Sequence, residues 1–110
     1  MSRGQEAEAQ AAAFLVAQRL TIVTRNWRCK VGELDLICRD GDTLVFVEVR
    51  QRSSGIFGGA AASITAAKRA KLRAAAQYYL QTLRTTPPCR FDAVCIEGTQ
   101  INWWKNCIEG

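Results

Sequence analysis

The 110-residue chain contains no histidine, and its five cysteines include no C-x-x-C pair. Without those groups no structural zinc site is suggested, and an odd cysteine count does not read as a disulfide framework. Cys38 and Cys95 fall inside apolar strand patterns and read as small buried hydrophobes, which points to a reducing compartment. A long apolar run is also missing. Ala11–Ala17 is far too short to span a bilayer. Glu6 and Glu8 stand where a signal peptide would carry positive charge. The expectation is a cytoplasmic protein with no membrane contact.

Acidic residues are absent from Val49 through Phe91, while Arg50, Arg52, Lys68, Arg69, Lys71, Arg73, Arg84 and Arg90 all lie there. Residues 1–48 hold seven acids and six bases, so the net charge of +5 is concentrated in one part of the chain. A single basic helix is commonly just a solvated face. An acid-free run of this length favours an anionic partner, a polyanion such as nucleic acid or an anionic surface. Arg50, Arg52, Lys68, Arg69, Lys71 and Arg73 are the candidate contacts.

What is present is an ordinary globular composition, 48% hydrophobic and 23% charged, in a chain long enough for one core. Residues 1–110 are therefore expected to form one domain. An alanine-rich helix is predicted over 5–19, with Ala11, Phe14 and Leu15 at helical spacing. Strands are predicted over 20–25, 33–39, 43–50, 90–97 and 101–105. Val31-Gly32 reads as a turn and the Gly/Ser-rich stretch 51–64 as a surface loop. Thr65 suits the N-cap of a second helix reaching Leu83, with Leu72, Ala75, Ala76, Tyr79 and Leu83 inward. The order is α-β-β-β-α-β-β. A crossover helix between strands implies an α/β fold with a mixed sheet flanked by helices. Of the adjacent Trp103 and Trp104, one should be core and the other exposed.

The chemistry is concentrated in the hairpin around Asp40-Gly41. Alternation sets Leu34, Leu36 and Cys38 on one face and Glu33, Asp35 and Ile37 on the other; Phe46, Glu48 and Arg50 share a face of the next strand. A two-residue Asp40-Gly41 loop makes paired numbers sum to 81, and a four-residue loop makes them sum to 83. Either even-length loop brings Asp35, Glu48 and Arg50 together, whereas a three-residue loop separates them. Two carboxylates that close repel, and a divalent cation with oxygen ligands relieves the repulsion. The plainer alternative is a wet strand face on which Glu33 or Glu48 is solvated or paired with Arg50.

The run from Asn26 to Arg52, N-W-R-C-x-x-G-E-L-D-L-I-x-R-D-G-D-T-L-V-F-V-E-V-R-x-R, resembles the YraN family of small bacterial proteins. Glu8 with the Ala11–Leu15 helix, Ile64-Thr65-x-x-Lys68, Arg90-Phe91-Asp92 and Ile101-x-Trp103 extend the resemblance over nearly the whole chain. It implies a restriction-endonuclease-like (PD-(D/E)XK) fold related to archaeal Holliday junction resolvases. It further implies an Mg²⁺- or Mn²⁺-dependent endonuclease acting on structured nucleic acid, DNA before RNA. Asp35 matches the metal-binding aspartate and Glu48 the acidic residue of the E-x-K element. The Val49 carbonyl and Glu8 complete the implied ligand set, and Lys68 falls at a family lysine. Resolvase-like relatives often act as homodimers. This chain departs from the pattern at Arg50, where the family usually has lysine. Arginine stays charged and cannot surrender a proton, so a nucleic-acid-binding module with little turnover is the alternative.

Overall fold

The computed structural model describes residues 3–52 and 64–108, except for the side chains of Arg3 and Arg52. Its elements are α1 (Arg3–Ala17), β1 (Thr21–Cys29), β2 (Gly32–Asp40), β3 (Thr43–Arg52), α2 (Ala66–Leu80), β4 (Cys89–Glu97) and β5 (Gln100–Trp104). The strands form one sheet in the order β1-β2-β3-β4-β5. The pair β3–β4 is parallel, and the other neighbours are antiparallel. That is the mixed α/β sheet expected from the alternation of elements. The greater part of the predicted loop 51–64 lies outside the described residues.

Each helix covers one face. Ala7, Ala11, Ala12 and Leu15 recur at helical spacing on α1 and bury against Leu36, Cys38, Val45, Val47, Val94 and Ile96. On the other face Leu72, Ala75 and Ala76 of α2 pack on Leu34, Ile37, Phe46, Phe91, Ala93 and Cys95. Thr65 caps α2, its Oγ1 accepting the Lys68 N–H at 3.1 Å. The helix ends at Leu80, three residues short of the expected Leu83. The Thr82 hydroxyl donates to the Tyr79 carbonyl at 2.6 Å, a local bond that competes with continuing the helix. Leu83 still packs against this core.

Strand β1 runs four residues past its expected end, and the turn falls at Lys30-Val31, ahead of Gly32. Trp27 and Cys29 account for the extension, because both pack into the α2-side core. The break that obscured it is Asn26, at φ 53° in the left-handed region. In the β2–β3 hairpin Asp40 pairs with Thr43, so the two-residue turn is Gly41-Asp42 and paired numbers sum to 83. Gly41 there has φ 61°, an angle that glycine adopts without strain.

Level with Val47, and on the face of the sheet opposite Glu48, Asp92 is fully buried on β4. Arg90 Nε donates to its Oδ1 at 3.1 Å, Trp103 Nε1 to Oδ2 at 2.9 Å, and the Asn106 N–H to Oδ1 at 2.8 Å. Arg90 Nη1 also reaches Asp40 Oδ2 at 2.9 Å, fastening the hairpin end to β4. Trp103 is half-buried and meets Phe14 edge-on, while Trp104 is exposed, the division expected of adjacent strand residues. All five cysteines are free thiols, with Cys38 and Cys95 buried. Among the described residues no helix is long and apolar enough to cross a membrane.

Candidate metal and phosphate site

The alternation rule fails at one place, and the carboxylates gather there. Leu36 and Cys38 face α1, as expected, but Leu34 joins Ile37 on the α2 face. An uninterrupted pleat cannot put residues 34 and 36 on opposite sides. Strand β1 changes phase at the same level, since Arg25 pairs with Leu36 and Trp27 with Leu34, leaving Asn26 level with Asp35. The left-handed turn at Asn26 and the phase change at Asp35 are therefore one event in two adjacent strands.

The neighbouring β2–β3 ladder stops at Leu36↔Val47. Backbone groups of alternate strand residues point to alternate neighbours. The Leu44 N–H donates to the Pro88 carbonyl on the β4 side, so the odd residues of β3 address β2. Val49 is the next such residue after Val47. Its N–H donates to Asp35 Oδ2 at 2.9 Å instead of to a backbone carbonyl. A carboxylate thus occupies the gap where the ladder would have continued. The Val49 carbonyl, on the same side of the strand, opens toward that gap.

Glu48 follows Leu44 and Phe46 onto the α2 face, and only 5% of its surface is exposed. Two cations converge on one of its oxygens: Arg50 Nε and Lys68 Nζ each lie 3.7 Å from Oε1. Both distances are too long for a hydrogen bond. Arg50 Nε is buried and has no hydrogen-bond acceptor. From the α1 side Glu8 reaches Asp35 and Asn26, with which its side chain hydrogen-bonds.

The electrostatics follow from this crowding. Burial, then the Asp35 charge, push the Glu48 carboxyl up to about 7 against the opposing pull of Lys68 and Arg50. Burial likewise raises Asp35, against the Val49 N–H and the Lys68 charge, which favour its ionised form. Glu8 is raised by burial and then by the Asp35 charge. Carboxyl groups whose charge burial disfavours form a donor set that suits a hard divalent cation. Among the described residues, no three acidic, histidine or cysteine side chains form a group that would hold an ion. An ion here would take one or two carboxylates and fill its shell with the Val49 carbonyl, water or phosphate oxygens, the habit of Mg²⁺.

The structure brings together Glu8, Asp35, Glu48, Val49, Arg50 and Lys68. Of the remaining candidate bases, Arg69 lies near Cys107, with its Nε buried and without an acceptor. Lys71 is exposed. Arg73 lines a cavity of about 310 Å³ between α2 and the Cys89–Phe91 segment. The side chain of Arg52 lies outside the described residues. Asn26 is the member that strand patterning misses, although an asparagine interrupting a β-branched run was a visible sign of a left-handed residue.

Residues 7–96 match the family described as Uncharacterised protein family UPF0102. A UPF0102 protein of Nitrosomonas eutropha is 52% identical over 109 residues, covering 98% of this chain and 94% of the relative. One from Nitrosospira multiformis is 53% identical, covering 97% of this chain and 92% of the relative. A third, from Herminiimonas arsenicoxydans, is 51% identical over 96% of this chain and 86% of its own length. With that match across most of its length, the chain belongs to UPF0102, the YraN family.

Proposed function

We propose that this protein is a divalent-cation-dependent phosphodiesterase of nucleic acid, with the cation at Asp35 and Glu48. The observation that carries the reading is Glu48, a nearly buried carboxylate beside Asp35, with two cations drawn to one of its oxygens at 3.7 Å. Asp35, oriented by the Val49 N–H, and Glu48 would hold Mg²⁺ or Mn²⁺ with the Val49 carbonyl; Glu8 would brace Asp35. A bound ion supplies Lewis acidity toward a phosphate oxygen and a water of lowered pKa. The chain's own residues do the rest. Arg50 offers its unspent Nε–H to a phosphate oxygen and opposes the negative charge that builds there. Lys68, held at the first turn of α2 by the Thr65 cap, offsets Glu48 and adds a second positive charge facing the phosphate. The exposed Lys71, with Arg69 and Arg73 elsewhere on α2, would add positive charge that positions the strand without reading its sequence. Structured DNA in the cytoplasm is the substrate this reading favours.

A second reading, binding without turnover, is favoured by Arg50 itself. A guanidinium holds phosphate well but cannot pass a proton to or from the attacking water.

The deciding experiment measures Mn²⁺ and Mg²⁺ binding, and cleavage of branched and single-stranded DNA and RNA. Wild type is compared with Asp35→Asn, Glu48→Gln and Arg50→Lys. Metal-dependent cleavage in wild type, lost in the first two variants, is expected. Cleavage confined to Arg50→Lys establishes the binding module. Indifference to metal in every variant defeats both the cation site and the enzyme. For the surface, neutralising Arg69, Lys71 and Arg73 together should lower the slope of log affinity against log salt by about 3. An unchanged slope would remove α2 from the interface.

A further inference from the structure

Asn26 has three properties that do not ordinarily coincide. It lies within the edge strand β1 at φ 53°, a left-handed angle in the middle of a ladder. It is level with Asp35, between the pairs Arg25↔Leu36 and Trp27↔Leu34. Its side chain hydrogen-bonds Glu8 on α1, which in turn hydrogen-bonds Asp35. The chain of contacts runs from an edge strand, through a helix, to the carboxylate that fills the gap between β2 and β3.

We infer that Asn26 is a positioning residue for the cation site: its side-chain amide holds Glu8 against Asp35 while its backbone turns both strands so that Asp35 enters the gap. The inference rests on the reading of Asp35 and Glu48 as a cation site braced by Glu8, and it adds a residue outside the ligand set. The residue type matches the task. Glycine would accept the left-handed angle but has no amide to hold Glu8. Aspartate tolerates the angle but would set a third negative charge beside Glu8 and Asp35. Alanine offers neither the angle nor the donor. Asparagine alone of these combines left-handed backbone tolerance with an uncharged N–H donor. Partners that orient a ligating carboxylate typically change metal affinity about 10–100-fold when removed.

The test separates backbone from side chain. Asn26→Gly keeps the permitted angle and deletes the amide, so a purely structural role leaves its Mn²⁺ affinity at the wild-type value. The expected result is about a tenfold loss of Mn²⁺ affinity by calorimetry, with the melting temperature little changed. Because Asn26 acts through Glu8, Asn26→Gly placed on Glu8→Gln should cost nothing further. Independently of metal, the Asn26 side-chain amide resonances in a ¹⁵N-resolved spectrum should shift on Glu8→Gln. Wild-type Mn²⁺ affinity in Asn26→Gly overturns the role, as do losses that multiply in the double variant. Unmoved amide resonances overturn the contact. A wild-type protein that binds no Mn²⁺ overturns the cation site, and the positioning role with it, while the amide spectrum still decides whether Asn26 holds Glu8.

Discussion

The two faces of the sheet bury acidic side chains almost level with each other, Glu48 under α2 and Asp92 on the α1 side, and they treat them in opposite ways. Asp92 receives donors from Arg90, Trp103 and the Asn106 backbone at 2.8–3.1 Å. Asp35 has one backbone donor and a carboxyl neighbour, and Glu48 has two cations held beyond hydrogen-bonding distance. A buried carboxylate that is fully hydrogen-bonded fastens the structure, because its charge is met by donors that stay in place. One that is crowded by other carboxyls and only loosely met by cations is costly to the fold. Retaining two such groups next to each other is what points to a ligand. Asp92 and Glu48 are both nearly excluded from water, so what separates them is how well each is hydrogen-bonded.

The contrast can be broken most forcefully at Asp92. Asp92→Ala leaves the Arg90 guanidinium without its internal partner and should cost about 3–5 kcal/mol in urea unfolding. A loss under 1 kcal/mol would mean that the fastening is ornamental.

Glu48→Gln should act in the reverse direction in metal-free protein. The Glu48 carboxyl is held at about 7 in the folded chain against 4.5 as its ordinary value. The folded state therefore binds this proton more tightly than the unfolded state, and stability falls as pH rises between those two values. The variant should match wild type near pH 4 and exceed it by up to about 3 kcal/mol at pH 8. Saturating Mn²⁺ should erase the advantage. Wild type more stable than Glu48→Gln at pH 8 in chelator would show that Lys68 and Arg50 already satisfy the acid.

Thr65→Ala sharpens the same side of the comparison with the smallest effect. Losing the N-cap bond to the Lys68 N–H should cost about 1 kcal/mol, read from the shift in the urea midpoint. An unchanged midpoint would mean that α2 docking, and not its cap, places Lys68.

How much of this was legible in the residues follows the same divide. Alternation, the Asp-Gly turn and the Thr65 cap were local signals, and each led to the right element. An even-length hairpin loop was enough to bring Asp35 near Glu48, although the turn shifted by one residue to Gly41-Asp42. Alternation puts Leu34 on the face of Leu36, but it presumes an unbroken pleat, which Asn26 breaks, and Leu34 lies in the α2-side core. The role of Asp92 was invisible for a different reason. Trp103 and Asn106 lie 11 and 14 residues beyond it, and no local pattern shows their donors turning back to it. The reach of Lys68 to Glu48 was not legible either, because it depends on how α2 crosses the sheet.

The parallel pairing of β3 with β4 bears on when the site comes into being as the chain folds. Asp35 and Glu48 meet in a local hairpin, but Leu44↔Cys89 closes a span of 45 residues. Non-local pairings of that kind form slowly, after their loop-closure entropy has been overcome. Until α2 and β4 close over Glu48, water still surrounds it and the carboxylates repel only weakly. The electrostatic burden of the site therefore falls late, on the native side of the folding barrier. Relieving it with Glu48→Gln should slow unfolding in a chevron analysis and leave the folding rate nearly unchanged.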